Sequence, residues 1–422
     1  RSAGDEAGVV MANVFQFVDW LSMEGLRLLL NKLEVSQGFN TDYNQEFTKD
    51  FAVGETVRIP LPQQWTVRTG LGYNPQAVNR IYTTVTCDQI FGVDFEWDSA
   101  QAALQVERGQ ERIKKEYLEP AMDQIKQEID SRCAQFAYQN ASQIVGVLGT
   151  DPTSLTVFNS ARQRMIELGG VSQGARINCI PPSVNTSLVG SALGLFNPPD
   201  AISKQYKEGA IGRYSGADWY ESMSLYDHTA GTWQGAVSVN TTMTSGTNSL
   251  IVTCTSGDTF KKGDVIGIAS VYNTNPLTRR TASTANTSTF TVAADVTATT
   301  TSATLTLTDT VYGPGSQYQN VSRLPTAADV ITLFPGTSSP NGKVGKQGLY
   351  FNKGAFALVG VKLETPKAVE MASQSRDPET GIAIRFVRMF DPQQSKMINR
   401  FDVLMGFGQL RPRNCAVRVL SA

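Results

Sequence analysis

The sequence predicts an α+β protein of more than one unit, and three observations carry that prediction. A long amphipathic stretch after residue 118 has helical spacing, shorter helix and strand signals alternate after Pro152, and a Ser/Thr-rich block keeps apolar residues at alternate positions. At 422 residues, a prior of roughly 150 per domain gives two or three folding units. Met11-Ala12-Asn13 reads as a translation start, with residues 1–10 an upstream extension, a processing remnant or an introduced leader.

From Asn13, a capping residue is followed by Val14, Phe17, Val18, Leu21, Leu28 and Leu29, which predicts a helix ending before Gly38. Between Phe51 and Trp97 the period changes to two, with Val57, Ile59 and Leu61, then Ile81, Thr83 and Val85, around Gly70-Leu71-Gly72 and Asn74-Pro75. This is a hairpin-like excursion without the apolar runs of a buried sheet, so its packing partners are expected on another chain. Leu118, Met122, Ile125, Ile129, Cys133 and Phe136 then recur at helical spacing. Pro120 suits a first turn and not a helix interior, so the main helix should start near Glu119 and the charged stretch 99–118 should be a separate short helix or turn.

Leu155 to Leu168 reads as a helix stopped by Gly169-Gly170, and Ala175 to Ile180 as a strand stopped by Pro181-Pro182. From Thr281 to Thr310, 16 of 30 residues are Ser or Thr, yet Phe290 and Val292, and Leu305 and Leu307, alternate as in half-buried strands. With Leu250 to Cys254, Val265 to Ile268 and the Lys262-Gly263-Asp264 turn, this predicts an all-β insertion over about 228–345. Mixed character resumes with Leu349 to Val359, Ile382 to Met389 and Phe401 to Met405, punctuated by the turns at 376–381 and Asp391-Pro392.

Charge and chemistry narrow the function. Lys plus Arg number 37 against 38 Asp plus Glu, so no whole-molecule attraction to nucleic acid or anionic membrane is expected. The five cysteines are widely spaced with no CxxC pair, which reads as reduced thiols. No run of 18 apolar residues and no signal-peptide pattern is found, so the chain is read as soluble and not secreted. His228 is the only histidine, which removes Ser-His-Asp, Cys-His and multi-histidine metal chemistry; as a lone loop residue it reads as a surface side chain. Residues 336–344, GTSSPNGKV, have one residue too many for a phosphate loop and lack the Ser or Thr after Lys. Asp94, Glu96 and Asp98 are the tightest acidic cluster, and alternation places them on one strand face. A carboxylate-dependent hydrolase using Asp94 or Glu96 is the third-ranked reading. The second is a secreted or surface carbohydrate-binding or adhesive protein, motivated by the Ser/Thr-rich block and five Asn-X-Ser/Thr sites, with Tyr272, Phe290 and Tyr312 as its few sugar-facing aromatics. Lys261-Lys262 and Arg279-Arg280 read as solvated loop charges.

The leading reading comes from the order of parts together with FKKGDVIGIA (260–269), LYFNKGAFALVGVKLETP (349–366) and GIAIRFVRMFDPQQSKMINRFDVLMGFGQLRPRNCAVRVL (381–420), the last carrying Arg400, Asp402, Leu404 and Gly406. In these the chain resembles tailed-phage major capsid proteins of the HK97 fold, in the P22-type branch that carries a β-barrel insertion domain. The resemblance implies an N-terminal extension and arm over 1–50, an E-loop over 51–98, and a peripheral domain over 99–149 with a spine helix at 119–145. It further implies an apical domain over 150–227 and 346–365, the insertion domain at 228–345, and peripheral strands over 366–422. The stretch between Asp227 and Ser249 is short and poor in charge where the branch can carry a charged intercapsomer loop. The implied function is self-assembly, as hexamers and pentamers, into an icosahedral shell around a double-stranded DNA genome. Implied partners are a scaffolding protein, a portal, weak nonspecific contact with packaged DNA and decoration proteins, with no membrane. Assembly would take place in the host cytoplasm and the product would reside in the virion capsid. The chain is read as no enzyme, with no catalytic, cofactor-binding or metal-ligating residue and no cofactor.

Overall fold

Proline, glycine and apolar periodicity set most element boundaries. The computed structural model describes residues 22–30, 33–42, 56–73, 75–78, 81–98, 114–170, 175–192, 212–283, 287–366, 369, 371–377, 380–393 and 396–422. Residues 22–30 are helical (α1), and a 3₁₀ turn follows at Ser36–Gly38. The excursion consists of β1 (Thr56–Pro60), an irregular loop and β2 (Tyr82–Asp98). A π-helical turn, Lys114–Leu118, leads into α2 (Glu119–Asn140), then β3 (Gln143–Gly146), α3 (Thr156–Glu167), β4 (Arg176–Ile180) and α4 (Pro182–Ala192). Next come β5 (Arg213–Tyr214), β6 (Ala217–Glu221), β7 (Asp227–Thr229), β8 (Val237–Val239), β9 (Thr247–Thr253), β10 (Thr259–Phe260) and β11 (Val265–Tyr272). They are followed by β12 (Thr287–Thr291), β13 (Val296–Thr297), β14 (Ser302–Val311), β15 (Val330–Leu333), β16 (Val344–Asn352) and β17 (Phe356–Val361). The remainder is β18 (Met371–Arg376), β19 (Ala383–Asp391), β20 (Lys396–Gln409), a single turn α5 (Pro412–Cys415) and β21 (Ala416–Leu420).

The chain divides into two compact units: residues 1–59, 84–130 and 357–408, and residues 60–83, 131–356 and 409–422. The first unit is organised by a sheet of order β1-β2-β20-β19-β18, with β17 also pairing β20. Its long ladders are antiparallel, with Val93 opposite Phe401 and Ile384 opposite Val403. Val85, Ile384, Phe401, Val403 and Met405 are fully buried, each worth roughly 1.5–3 kcal/mol relative to exposure. Asp130 accepts from the backbone N–H groups of Glu34 and Ser36 at 3.0 and 3.1 Å, which ties the segment after α1 to α2.

The second unit is built on a sheet of order β3-β21-β16-β4-β6-β5, with β7 beside β16. Side-chain alternation along its strands separates two cores. Val145, Val417 and Val419 pack with Phe158, Ala161 and Met165 of α3 and Val184 and Leu188 of α4. Ile144, Leu148 and Leu420 point the other way, into a core of Leu250, Val265, Phe290, Leu305 and their neighbours.

That second core fills a six-stranded sheet of order β12-β11-β15-β8-β9-β14. The sheet curls until its ends meet: Val292 bridges Leu307, Ala293 N–H donates to Thr306 O at 2.8 Å and Thr308 Oγ1 donates to Thr291 O at 3.0 Å. Closure into a small barrel removes the exposed edges that so many Thr-rich strands would otherwise present. The chain leaves the body sheet at β7 and re-enters at β16, and these two strands pair, His228 opposite Gly345 and Thr229 opposite Val344.

Several expectations change. Helix α2 begins at Glu119 with Pro120 as its second residue, where the missing N–H has no intrahelical partner to lose. The separate short helix or turn expected before it is, over Lys114–Leu118, a π turn that runs directly into α2; residues 99–113 lie outside the described residues. The helix ends at Asn140 and not 145, because Gln143–Gly146 leave to pair in parallel with β21. The expected first helix is seen over 22–30, while 13–21 and 31–32 lie outside the described residues, as do 1–12 and Asn286. The 366–422 block is split: β18, β19 and β20 lie in the first unit's sheet, whereas β21 is interior to the second unit's sheet, between β3 and β16.

Candidate functional site

Among the described residues, the histidine, the acidic pair and the cysteines that the sequence singles out are paired or buried. His228 is 4% exposed, a correction to its reading as a surface residue. Its Nε2 lies 2.8 Å from Asp264 Oδ1, and its ring sits between Tyr138 and Phe334 at centroid distances of 5.6 and 5.7 Å. Asp264 is fully buried and also accepts from the N–H groups of Gly231 and Lys261. The turn that presents it needs Gly263, whose φ is +96° and whose missing Cβ would lie 2.8 Å from Tyr138.

Asp94 and Glu96 do share the solvent-facing side of β2, but each faces a base across the ladder. Arg400 Nε lies 3.5 Å from Asp94 Oδ1, and Lys396 Nζ lies 2.5 Å from Glu96 Oε1. Such cross-strand pairs fix sheet register; the side chain of Asp98 lies outside the described residues. All five cysteines are buried and outside any disulfide. Burial pushes Cys87 up to about 12 and Cys415 up to about 11, the reverse of an activated nucleophile. Among the described residues, no group of three or more His, Cys, Asp or Glu is placed to hold a metal ion.

Among the described residues of the β-barrel, the three aromatics expected to face a sugar form no stacking platform. Phe290 is fully buried beneath the Arg413 guanidinium, and Tyr272 and Tyr312 are only partly exposed. Lys261 and Lys262 are exposed as expected, whereas Arg279 is structural, donating to Ser316 O and Gln317 O at 2.9 and 2.8 Å.

The feature that stands apart is the loop between β1 and β2. Leu61 N–H donates to Ile81 O at 2.8 Å and closes its base. Gln63 Nε2 reaches Ala77 O at 2.9 Å, and the Gln76 amide both accepts from Thr66 N–H and donates to Thr66 O, at 2.8 and 2.6 Å. Arg68 clasps the tip through Gly70 O and Gly72 O, and Gln317 donates to Gln64 O at 2.5 Å. This ordered ribbon exposes Trp65 at 55%, Val67 at 96%, Leu71 at 101%, Tyr73 at 90% and Val78 at 67%. Five large apolar side chains on one excursion mark an association surface. The expectation that the excursion is packed by another chain is corrected for β2, which pairs with β20 of the same chain and buries Val85 and Cys87. The bare apolar side chains are confined to the loop, whose two arms are tied together by side-chain amides that no sequence pattern marks.

Residues 95–420 match the family described as P22 coat protein - gene protein 5. No curated protein matches the chain. Among solved structures it is similar to one from Mycobacterium phage Che8, at 12% identity over 92% of this chain and 91% of that chain, with a TM-score of 0.47. It is similar to the capsid of Cyanophage P-SCSP1u at 11% identity, 89% and 85% coverage and a TM-score of 0.40. For the mature capsid of bacteriophage PhiM1 the values are 12% identity, 88% and 83% coverage and 0.39.

Proposed function

Because this chain belongs to the P22 coat protein family, we propose that the ribbon between β1 and β2 is the surface through which its copies join. The chain is a major capsid protein: it assembles in many copies into a phage shell, and its work is structural, not enzymatic. The observation that carries the assignment of the ribbon is its row of exposed apolar side chains, from Trp65 to Val78. A subunit in a closed lattice can leave such groups bare because a neighbouring copy removes them from water.

The finer parts follow from the same reading. Residues 51–98 serve as the E-loop, α2 as the spine helix and 228–345 as the insertion domain of an HK97-like subunit. Residues 150–227 and 346–365 serve as the apical domain and the sheet containing β18 to β20 as peripheral strands, while β21 joins the sheet of the apical part. Copies gather as hexamers and pentamers into an icosahedral shell in the host cytoplasm, guided by a scaffolding protein around a portal. A formal net charge of -1 suits a wall that lies against packaged double-stranded DNA without gripping it. Decoration proteins are further candidates for contact with the shell. The test is to make the Leu71→Asp and Tyr73→Ser chains and follow assembly by sedimentation: folded subunits that no longer assemble support the ribbon's role, and normal shells refute it.

A further inference from the structure

The face between the barrel and the body sheet is unusually polar at its centre. Alternation along β21 sends Val417 and Val419 toward the helices and Leu420 toward the barrel, and Arg418 shares the side of Leu420. Arg418 is fully buried. Its Nε donates to Ala141 O just beyond α2 at 2.8 Å, and its terminal nitrogens donate to Gly263 O at 2.8 Å and Thr291 Oγ1 at 3.0 Å, both in the barrel. Thr291 Oγ1 in turn donates to Ala141 O at 3.0 Å.

Arg413, 7% exposed, repeats the arrangement one turn of chain earlier. One terminal nitrogen donates to Thr289 O at 3.3 Å and Asp309 Oδ2 at 3.2 Å, the other to Asn273 Oδ1 at 2.8 Å and Ser288 Oγ at 2.7 Å. Its guanidinium carbon lies 4.7 Å from the centroid of the Phe290 ring. Every one of these acceptors belongs to the barrel. Gln143 of β3 adds a third body contact, accepting from Asn273 Nδ2 at 3.0 Å.

Burying two guanidinium groups is costly, and burial lowers the affinity of both for their protons. Well-packed apolar residues in such places are often neutral or better for stability. What apolar contact lacks is direction: Ile144, Leu148 and Leu420 would hold the barrel against the sheet without fixing where it sits. A planar guanidinium with donors in a rigid fork fixes position and orientation together. The covalent connection is slight, consisting of β7 and the start of β16, and the returning segment carries left-handed backbone at Phe334, Gly336, Ser339 and Gly342.

We propose that Arg413 and Arg418 are positioning residues that hold the barrel in a single seating on the body sheet, about a neck formed by β7 and β16. Removing the two guanidinium groups frees the barrel to shift on its apolar contact while both the barrel and the sheet stay folded.

The test places spin labels on cysteines introduced at Ile166 of α3 and Val330 of β15, both exposed, and measures the label-to-label distance distribution in the full chain. One narrow distribution is expected with both arginines present. In the Arg413→Met, Arg418→Met chain the distribution should at least double in width with unchanged circular dichroism. Amide exchange should quicken about tenfold over 263–274 and 287–291, with 247–253 and 302–306 unaffected. Arg418→Lys, which keeps a charge but offers no planar fork, should recover part of the narrowing. An unchanged distribution in the double variant overturns the proposal. So does a double variant that fails to fold, because the arginines would then serve overall stability and not seating.

Discussion

His228 Nε2 lies 2.8 Å from Asp264 Oδ1, joining the strand that leaves the body sheet to a turn of the barrel. Replacing His228 by Ala removes a hydrogen bond to a buried carboxylate, worth about 1.5–3 kcal/mol, and opens a cavity between Tyr138 and Phe334. We expect urea unfolding to report a loss of about 2–4 kcal/mol. Asp264→Ala should cost more, because the N–H groups of Gly231 and Lys261 also lose their acceptor. Equal, negligible losses for both variants would show that the neck is held elsewhere.

In the first unit, Asp402 is 1% exposed and accepts from Arg385 at 2.5 Å and Arg400 at 2.6 Å. Asp402→Asn leaves the less exposed base, Arg385, without its charge partner, and a loss of about 3 kcal/mol is expected. Asp94, also beside Arg400 but 61% exposed, should tolerate Asn within about 0.5 kcal/mol. Thermal melts of the two variants check the contrast.

The thiols give a pH signature. Burial raises Cys87 to about 12 and Cys415 to about 11 from 9.0. Both states hold the thiol proton below pH 9; above it the unfolded chain releases the proton first. The stability these groups contribute is therefore complete below pH 9 and is lost on rising to about 11 for Cys415 and about 12 for Cys87. Cys87→Ala and Cys415→Ala should each flatten the alkaline fall of the melting temperature. At pH 8.5, iodoacetamide should label the native chain at least about tenfold more slowly than the urea-unfolded chain.

For the ribbon, Leu71 is 101% exposed in the subunit, so Leu71→Asp should leave the melting temperature within about 2 °C. Assembly should fall at least about tenfold, as expected when an apolar anchor worth about 1.4 kcal/mol or more is lost from each contact. Light scattering during assembly separates the two effects.

Much of this fold was legible where a repeating pattern marked it. The buried stripe Leu118, Met122, Ile125, Ile129 and Cys133 follows the helical period that predicts it, and Pro120 marks where α2 begins. Phe290, Val292, Leu305 and Leu307 are fully buried at the alternating positions read from the Ser/Thr-rich block. Residues whose role depends on a distant partner were not legible. His228 has no periodic context, and its partner Asp264 lies 36 positions on. Asp130 sits within the helical stretch yet is fully buried, because backbone N–H groups more than 90 residues earlier find it. Arg418 did carry a signal: a charged residue in the apolar run Ala416-Val417-Arg418-Val419-Leu420 is a buried charge in search of acceptors. Those acceptors come from two other parts of the chain, and only the folded structure identifies them.

The central claim is that copies of this chain build a shell. Electron microscopy of the purified chain across a concentration series, with sedimentation velocity on the same samples and with a co-expressed scaffolding protein, tests it most directly. Closed shells of uniform size, or rings of five and six subunits, are the predicted result. A chain that sediments as a folded monomer at every concentration, with and without the scaffolding protein, would contradict it.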